Sequence, residues 1–588
     1  MPNRPRRAIA GTLLACLALL CGCQRGAGPA AASAPATSGT ATAASWPAFV
    51  DEYLEAYFRT HPQFAAGQGR HEFDGQLPDW SAAGLRAEVL RLKAWRARAE
   101  AFPASRLDTA QRFERDYLLS RIDHDLFWQE LAEAPFRNPQ FYLGMADGAD
   151  SLDPSVYVVR PYGTPEQRLR AFIGYAGSVA RVAPDIRANL RTPMPATYIK
   201  LGVAGFGGLA EFYRKDVPTA FAGVGDAALQ ADLKAAIELA ASALQGLADW
   251  LGSERPHATG PDPLGAERYA RMLKMTERVD LPLAEIEATG RADLARNTAT
   301  LAQACAKFAP GKSLAACVGR MRAHKPAGGM VAGARAELAG LRQFLFDRDV
   351  VSIPDMEDVR VEEAPPYARQ NLAYIDTPGP YEQRLPSVYY IAPPDPAWSR
   401  QEQDAYIQGR AFVLFVSVHE VWPGHFLQYL HANRARSRFA AVFGSYAFGE
   451  GWAHYAEELM WEKGLGGDPE AHIGQLANAL MRDVRLLSSI ALHTQGATVA
   501  DSERMFREQA FLDAGMARQQ AARGTYDPGY LNYTLGKLMI RKLRTDWCAS
   551  RGGEPCWKAF NDQLLSYGSP PVPLVRQAML PGDTGAVL

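Results

Sequence analysis

The feature that most constrains this chain is a His-Glu pair followed late by a second histidine, "SVHEVWPGHFLQ" at 417–428. It is preceded by "AYIQGRAFVLFVSV" (405–418), a continuous apolar run that reads as a helix buried on most sides. Such a helix delivers His419 and Glu420 into the interior. A buried His-Glu pair needs a reason, because polar groups without partners are costly away from water. In zinc peptidases, two histidines one helical turn apart hold the metal and the glutamate beside the first activates water. Here His419 and His425 are six residues apart, about 240° around a regular helix, so an unbroken helix would point them away from each other. Pro423 cannot donate to the carbonyl of His419, and its ring would clash there. Gly424 permits unusual backbone angles. The spacing therefore predicts a kink, bulge or break between the two histidines that lets their rings meet.

Glu450 lies 25 residues beyond His425, in "FGEGWAHYAEEL" (448–459), and leads into a helix whose face repeats as Glu450, His454 and Glu457. Either segment alone also fits a satisfied core pair or a salt-bridged helix face. In this order and at this separation they point to a metal site. "EGWAHYAEE" resembles the segment that supplies the glutamate ligand in zinc aminopeptidases of the gluzincin type. His454, one turn from Glu450, is the rival ligand and is read here as a substrate contact.

Helical patterning dominates the rest of the chain from Trp46 onward, as in "WPAFVDEYLEAYFRTHP" and "LQADLKAAIELAASALQGLADWLG". Strand candidates are few: "ATYIKLGV", "DVRVEEAPP" and "PSVYYIAPP", the last placed at an edge by its terminal Pro-Pro. The expected fold is mainly α, one large helical body over 46–588 with a few short strands. Two lobes, about 46–350 and 351–588, would divide in the irregular stretch 350–400 and leave an active-site cleft between them. At 47% hydrophobic and 22% charged, the 588 residues supply ample core. A formal net charge of −1 argues against a nucleic-acid partner.

The first residues carry Arg4, Arg6 and Arg7 and then an apolar run from about Ile9 to Leu20, the length of a signal-peptide core and too short to span a membrane. It ends in "LCGC", which resembles a bacterial lipoprotein cleavage box. Residues 1–22 are therefore expected to be the signal peptide, with Cys23 the lipidated first mature residue. Gln24, in place of an aspartate, favours an outer-membrane anchor facing the periplasm. Residues 23–45 read as a flexible tether. Export implies an oxidising compartment, and the remaining cysteines form two close pairs, Cys305 with Cys317 and Cys548 with Cys556.

"HEVWPGHFLQ" followed by "AFGEGWAHYAEEL" resembles a large bacterial family known as domain of unknown function 885. Its signature is HExxPGHxxQ and then GEGWAxYxE, and its members are regarded as helical, gluzincin-like metallopeptidases. The resemblance implies His419, His425 and Glu450 as zinc ligands and Glu420 as general base. "RDVRLLSSIALH" (482–493) resembles the segment RxxRLVVDxGxH: Arg482, Arg485 and His493 match, and Ser489 stands where the family has aspartate. "YLNYTLGKLMIRKLR" resembles the family's YxxG segment through Tyr533 and Gly536. The expected function is a periplasmic zinc peptidase acting on small or unstructured peptides. Tyr533 or His493 would stabilise the oxyanion, and Arg482 and Arg485 would clamp a terminal carboxylate. The alternatives are a zinc amidase on a cell-wall or other non-peptide substrate, and a non-catalytic binding lipoprotein with a degenerate site.

Overall fold

The helices follow the apolar spacing of three and four residues, and several begin at a side-chain cap. Helix α1 (Trp46–Thr60) buries one stripe that includes Trp46, Phe49, Tyr53 and Tyr57. Helices α2 (Pro165–Asn189), α3 (Ala196–Lys215) and α4 (Ala227–Ser253) pack together, α4 against both others. A capping box between Thr164 and Gln167 starts α2, and the Asp226 carboxylate accepts from the N–H groups of Ala228 and Leu229 to start α4. Helix α5 (Leu283–Phe308) follows. The computed structural model describes residues 45–588 except 145–148, 358, 370–371, 383–384, 436, 550 and 584. The expected signal peptide, Cys23 and all of the tether but Ser45 lie outside the described residues. Trp46–Leu588 forms one compact unit.

Strands β1 (Val359–Glu363), β2 (Ala373–Asp376) and β3 (Ser387–Ile391) make one sheet in the order β1-β3-β2, with β1 parallel and β2 antiparallel to β3. "DVRVEEAPP" supplies β1 and "PSVYYIAPP" supplies β3. Two strand expectations need correction. "ATYIKLGV" is the start of α3: Tyr198, Ile199 and Gly202 run on into Phe206, Leu209 and Ala210 as one buried helical face, and packing overrides the local β-formers. β3 is the middle strand, buried throughout. Pro393 and Pro394 lie past its end and remove no ladder hydrogen bond, and the edges are β1 and β2.

The C-terminal half holds the helices that carry the candidate site: α6 (Arg410–Glu420), α7 (His425–Ala432), α8 (Tyr446–Glu462), α9 (Pro469–Thr494), α10 (Ala514–Tyr526) and α11 (Asn532–Ala549). α9 packs against α5 and α6, and α8 against α11. α8 and α9 are buried nearly all round, so their polar residues must find partners inside. Lys537 pairs with Asp293, while Asp483 accepts from Asn297 Nδ2 at 2.7 Å and Thr534 Oγ1 at 3.0 Å. These contacts tie α5, α9 and α11 together beneath the site. Cys305–Cys317 and Cys548–Cys556 are both bonded, each with Cα atoms 5.8 Å apart. Among the described residues, no helix is long and apolar enough to cross a membrane.

Candidate metal centre

α6 stops at Glu420 and α7 begins at His425, so the helix is broken between the two histidines. Val421 N–H still reaches Ser417 O at 3.0 Å, but Gly424 N–H bonds Val418 O at 2.9 Å, and the Pro423 carbonyl accepts from Trp452 Nε1 at 2.8 Å. The turn is too tight for a side chain at Gly424, where a Cβ would lie 1.7 Å from the carbonyl oxygen of His419. The break turns α7 so that the His419 and His425 rings meet with centroids 4.8 Å apart, nearly perpendicular at 84°.

Glu450 arrives from α8, whose start is fixed by Ser445 Oγ accepting from Phe448 N–H. Its Oε2 lies 3.1 Å from His419 Nε2 and 3.2 Å from His425 Nε2. Among the described residues, these three are the only set of three or more His, Cys, Asp or Glu side chains close enough to share one metal ion. α8 reaches this depth because its Gly451 packs backbone to backbone on Gly536 of α11.

Glu457 sits behind His419, with Oε1 2.8 Å from Nδ1. Burial pushes the Glu457 carboxyl up, but Arg482 and the neighbouring histidines outweigh burial and hold it far below the usual range. An ionised Glu457 beside Nδ1 favours the tautomer protonated there, the one whose Nε2 can serve as a metal donor. Burial likewise raises the Glu450 carboxyl, and the two imidazoles, His425 foremost, more than reverse it. The His425 imidazole is pulled down by burial and lifted by Glu450, to about 9.

Glu420 is different. It is 6% exposed, and among the described residues its carboxylate makes no hydrogen bond or ion pair. Burial raises its pKa, with the histidines opposing. It lines a cavity of about 260 Å³ together with His419, His425, Glu450 and Tyr533. A second cavity of about 590 Å³ shares the wall residues Ile375, His425, Tyr429 and Glu450 with the first. His425 and Glu450 thus line both cavities and His419 the smaller one, beside edge strand β2.

The Tyr533 ring is stacked 6.0 Å from that of His419, and its hydroxyl accepts from Arg523 Nη2 at 3.3 Å. Arg485 is 6% exposed, its Nε bonds Gln520 Oε1 at 2.7 Å and its guanidinium lies 4.5 Å from the Tyr533 ring centre.

Three expected roles do not fit these positions. His493 is outside the cleft: Nε2 bonds the Gly524 carbonyl at 2.8 Å and Nδ1 accepts from Leu264 N–H, because eight residues of α9 carry it two turns beyond Arg485. His454 is fully buried behind Glu457, Nδ1 3.7 Å from Glu457 Oε1, and lines neither cavity. One turn of α8 takes it about 6 Å deeper than Glu450. Arg482 lines the smaller cavity, but its guanidinium is engaged by Glu457 at 3.1 Å and by Asn478, so it positions Glu457 instead of clamping a substrate. Ser489 is also away from the cavity, donating to the Pro528 carbonyl and accepting from the Tyr269 hydroxyl, both at 2.7 Å. Sequence reasoning passed over Arg523, Gln520 and β2. Arg523 and Asp527, paired at 2.9 Å, were visible as an i,i+4 couple, but nothing local tied them to the site.

Residues 62–579 match the family described as "Bacterial protein of unknown function (DUF885)", and the chain belongs to that family. No curated protein matches it. A candidate lipoprotein of unknown function from Shewanella oneidensis has the same fold, with a TM-score of 0.73 at 21% identity over 92% of this chain and 100% of that one. A candidate lipoprotein from Colwellia psychrerythraea matches with a TM-score of 0.74 at 18% identity, over 90% and 98%.

Proposed function

We propose that this member of the family is a zinc-dependent peptidase that hydrolyses small or unstructured peptides. One observation carries the reading: two imidazole Nε2 atoms converge on one Glu450 oxygen at 3.1 and 3.2 Å while a buried carboxylate, Glu420, has no partner among the described residues. Donors about 2.0–2.2 Å from a tetrahedral zinc stand about 3.4 Å from one another, so the observed separations suit that ion, and two imidazoles with one carboxylate are donors it prefers. His419, His425 and Glu450 would hold it.

Zinc held there supplies Lewis acidity for the scissile carbonyl and acidifies a water toward pKa ~7. Glu420 takes a proton from the water and delivers it to the departing amine. Its unpaired, burial-raised carboxyl suits a group that must accept and then release a proton. The Tyr533 hydroxyl already accepts from Arg523, so its own O–H is available to the carbonyl oxygen as that oxygen gains charge. Glu457 and Arg482 keep His419 oriented. The free edge of β2 offers main-chain groups to an extended peptide.

The lipoprotein descriptions of the two solved relatives, the "LCGC" sequence and the two disulfides support an exported protein anchored through Cys23, with Gln24 favouring the outer membrane. The test is metal analysis of purified protein, with mass spectrometry of a mixed peptide pool before and after chelation. Stoichiometric zinc and chelator-sensitive cleavage are expected. Absence of zinc, with H419A behaving as the parent protein, would reject the reading.

A further inference from the structure

The smaller cavity holds a charge that the hydrolytic mechanism does not use. Three guanidinium groups line it: Arg482, Arg485 and Arg523. Arg482 has Glu457 as its anion and Arg523 has Asp527. Arg485 has none among the described residues. Its one hydrogen bond is to the neutral Gln520, and its other neighbour is the face of Tyr533. Burial pulls the basicity of Arg485 down, and the two other guanidinium groups add to that effect. A buried guanidinium with no counter-charge is costly to a fold, so it persists where a ligand brings the anion. The site is built for it: Arg485 shares its cavity with Glu420 and Tyr533, while Phe412, Val416, Met481 and Met516 supply apolar wall.

We infer that Arg485 anchors a carboxylate on the residue just beyond the scissile bond, so that the protein reads peptides from their free C-terminal end. This rests on the peptidase reading above. A cavity of about 260 Å³ is at the small end for ligand sites and takes about one or two amino-acid residues, which suits a chain end better than a continuing polypeptide. In the reaction the oxygen of water bonds to the carbonyl carbon, the C–N bond breaks, and the amine nitrogen leaves with the proton carried by Glu420. The departing amino acid or dipeptide keeps its carboxylate on Arg485. The same chemistry could come from an Asp or Glu side chain at that position, and the assay separates the two.

The experiment uses the zinc-loaded protein and three peptides of common sequence, ending in alanine with a free carboxylate, in alanine amide and in glutamate amide. Cleavage is followed by mass spectrometry. The free acid should be cleaved at its C-terminal end at least 100-fold more efficiently than the alanine amide. R485Q should lose most of that preference through a rise in KM for the acid far larger than any change on the amide. R485K, which keeps the charge, should recover part of it. A structural role for Arg485 would depress both substrates equally. Cleavage of glutamate amide but not alanine amide would assign the anchor to a side-chain carboxylate. Equal cleavage of all three peptides overturns the inference and leaves the peptidase reading intact, whereas zinc-loaded protein that cleaves none overturns both.

Discussion

His419 Nδ1 lies 2.8 Å from Glu457 Oε1 in the interior, and Arg482 Nη2 lies 3.1 Å from the same oxygen. A carboxylate locked by arginine fixes the imidazole tautomer and turns Nε2 toward Glu450. E457Q should therefore weaken zinc binding about 10–100-fold without removing any ligand. Competition against a chromophoric chelator measures this, and an unchanged affinity would exclude Glu457 from the role. E457A should also cost about 3–5 kcal/mol of stability, because it strands Arg482 without its anion.

Glu420 makes the opposite case. A buried carboxylate without partners works against folding, as groups kept for catalysis often do. E420Q should bind zinc as the parent protein does, lose hydrolysis by at least about 10³-fold and melt several degrees higher when metal-free. Full activity in this variant would refute the assignment of the base. A lower melting temperature would mean that the carboxylate has a structural partner.

How much of this was legible beforehand differs from residue to residue. The helical body was readable because spacing and capping are local, and the broken helix because Pro423 and Gly424 forbid the alternative. The positions of His493, His454 and Arg482 were not, since matching a motif gives neither depth nor partners. Arg482 and Arg485 sit one turn apart on α9, yet one is neutralised by Glu457 from α8 and the other is not. That distinction depends on which helices cross where. The role of β3 was missed for a similar reason: strand order depends on β2, a segment too short and mixed to stand out.

Where α8 and α11 cross, a Cβ on Gly451 would lie 2.5 Å from the carbonyl carbon of Gly536, and one on Gly536 would lie 1.9 Å from the carbonyl oxygen of Ala447. Both obstacles are backbone, so they cannot yield by a rotamer change. G451A and G536A should each force the helices apart at a cost of about 2–4 kcal/mol, shifting Glu450 relative to Tyr533. Chemical denaturation gives the stability loss and metal titration the weakened site. Parent-like values for both variants would mean that the crossing does not set the geometry.

Stability should also respond to pH through Glu337, on the helix Gly329–Arg348, which accepts from Ser417 Oγ at 3.4 Å. Burial raises its pKa from 4.5 to about 7, against smaller opposing effects of Ser417 and Arg410. A carboxyl with a raised folded pKa holds its proton in the folded state after the unfolded chain has lost its own. The folded protein therefore binds more protons between about pH 4.5 and 7, and this group's contribution to stability falls as pH rises through that window. Such a displacement is worth at most about 3 kcal/mol, reduced to about 1–2 by partial exposure. E337Q has no proton to lose there. Measured on chelated protein, so that metal loss in acid does not intrude, the variant should match the parent near pH 4.5 and exceed it by about 1–2 kcal/mol at pH 8. A constant difference between the two proteins across that range would place the pH dependence on another group.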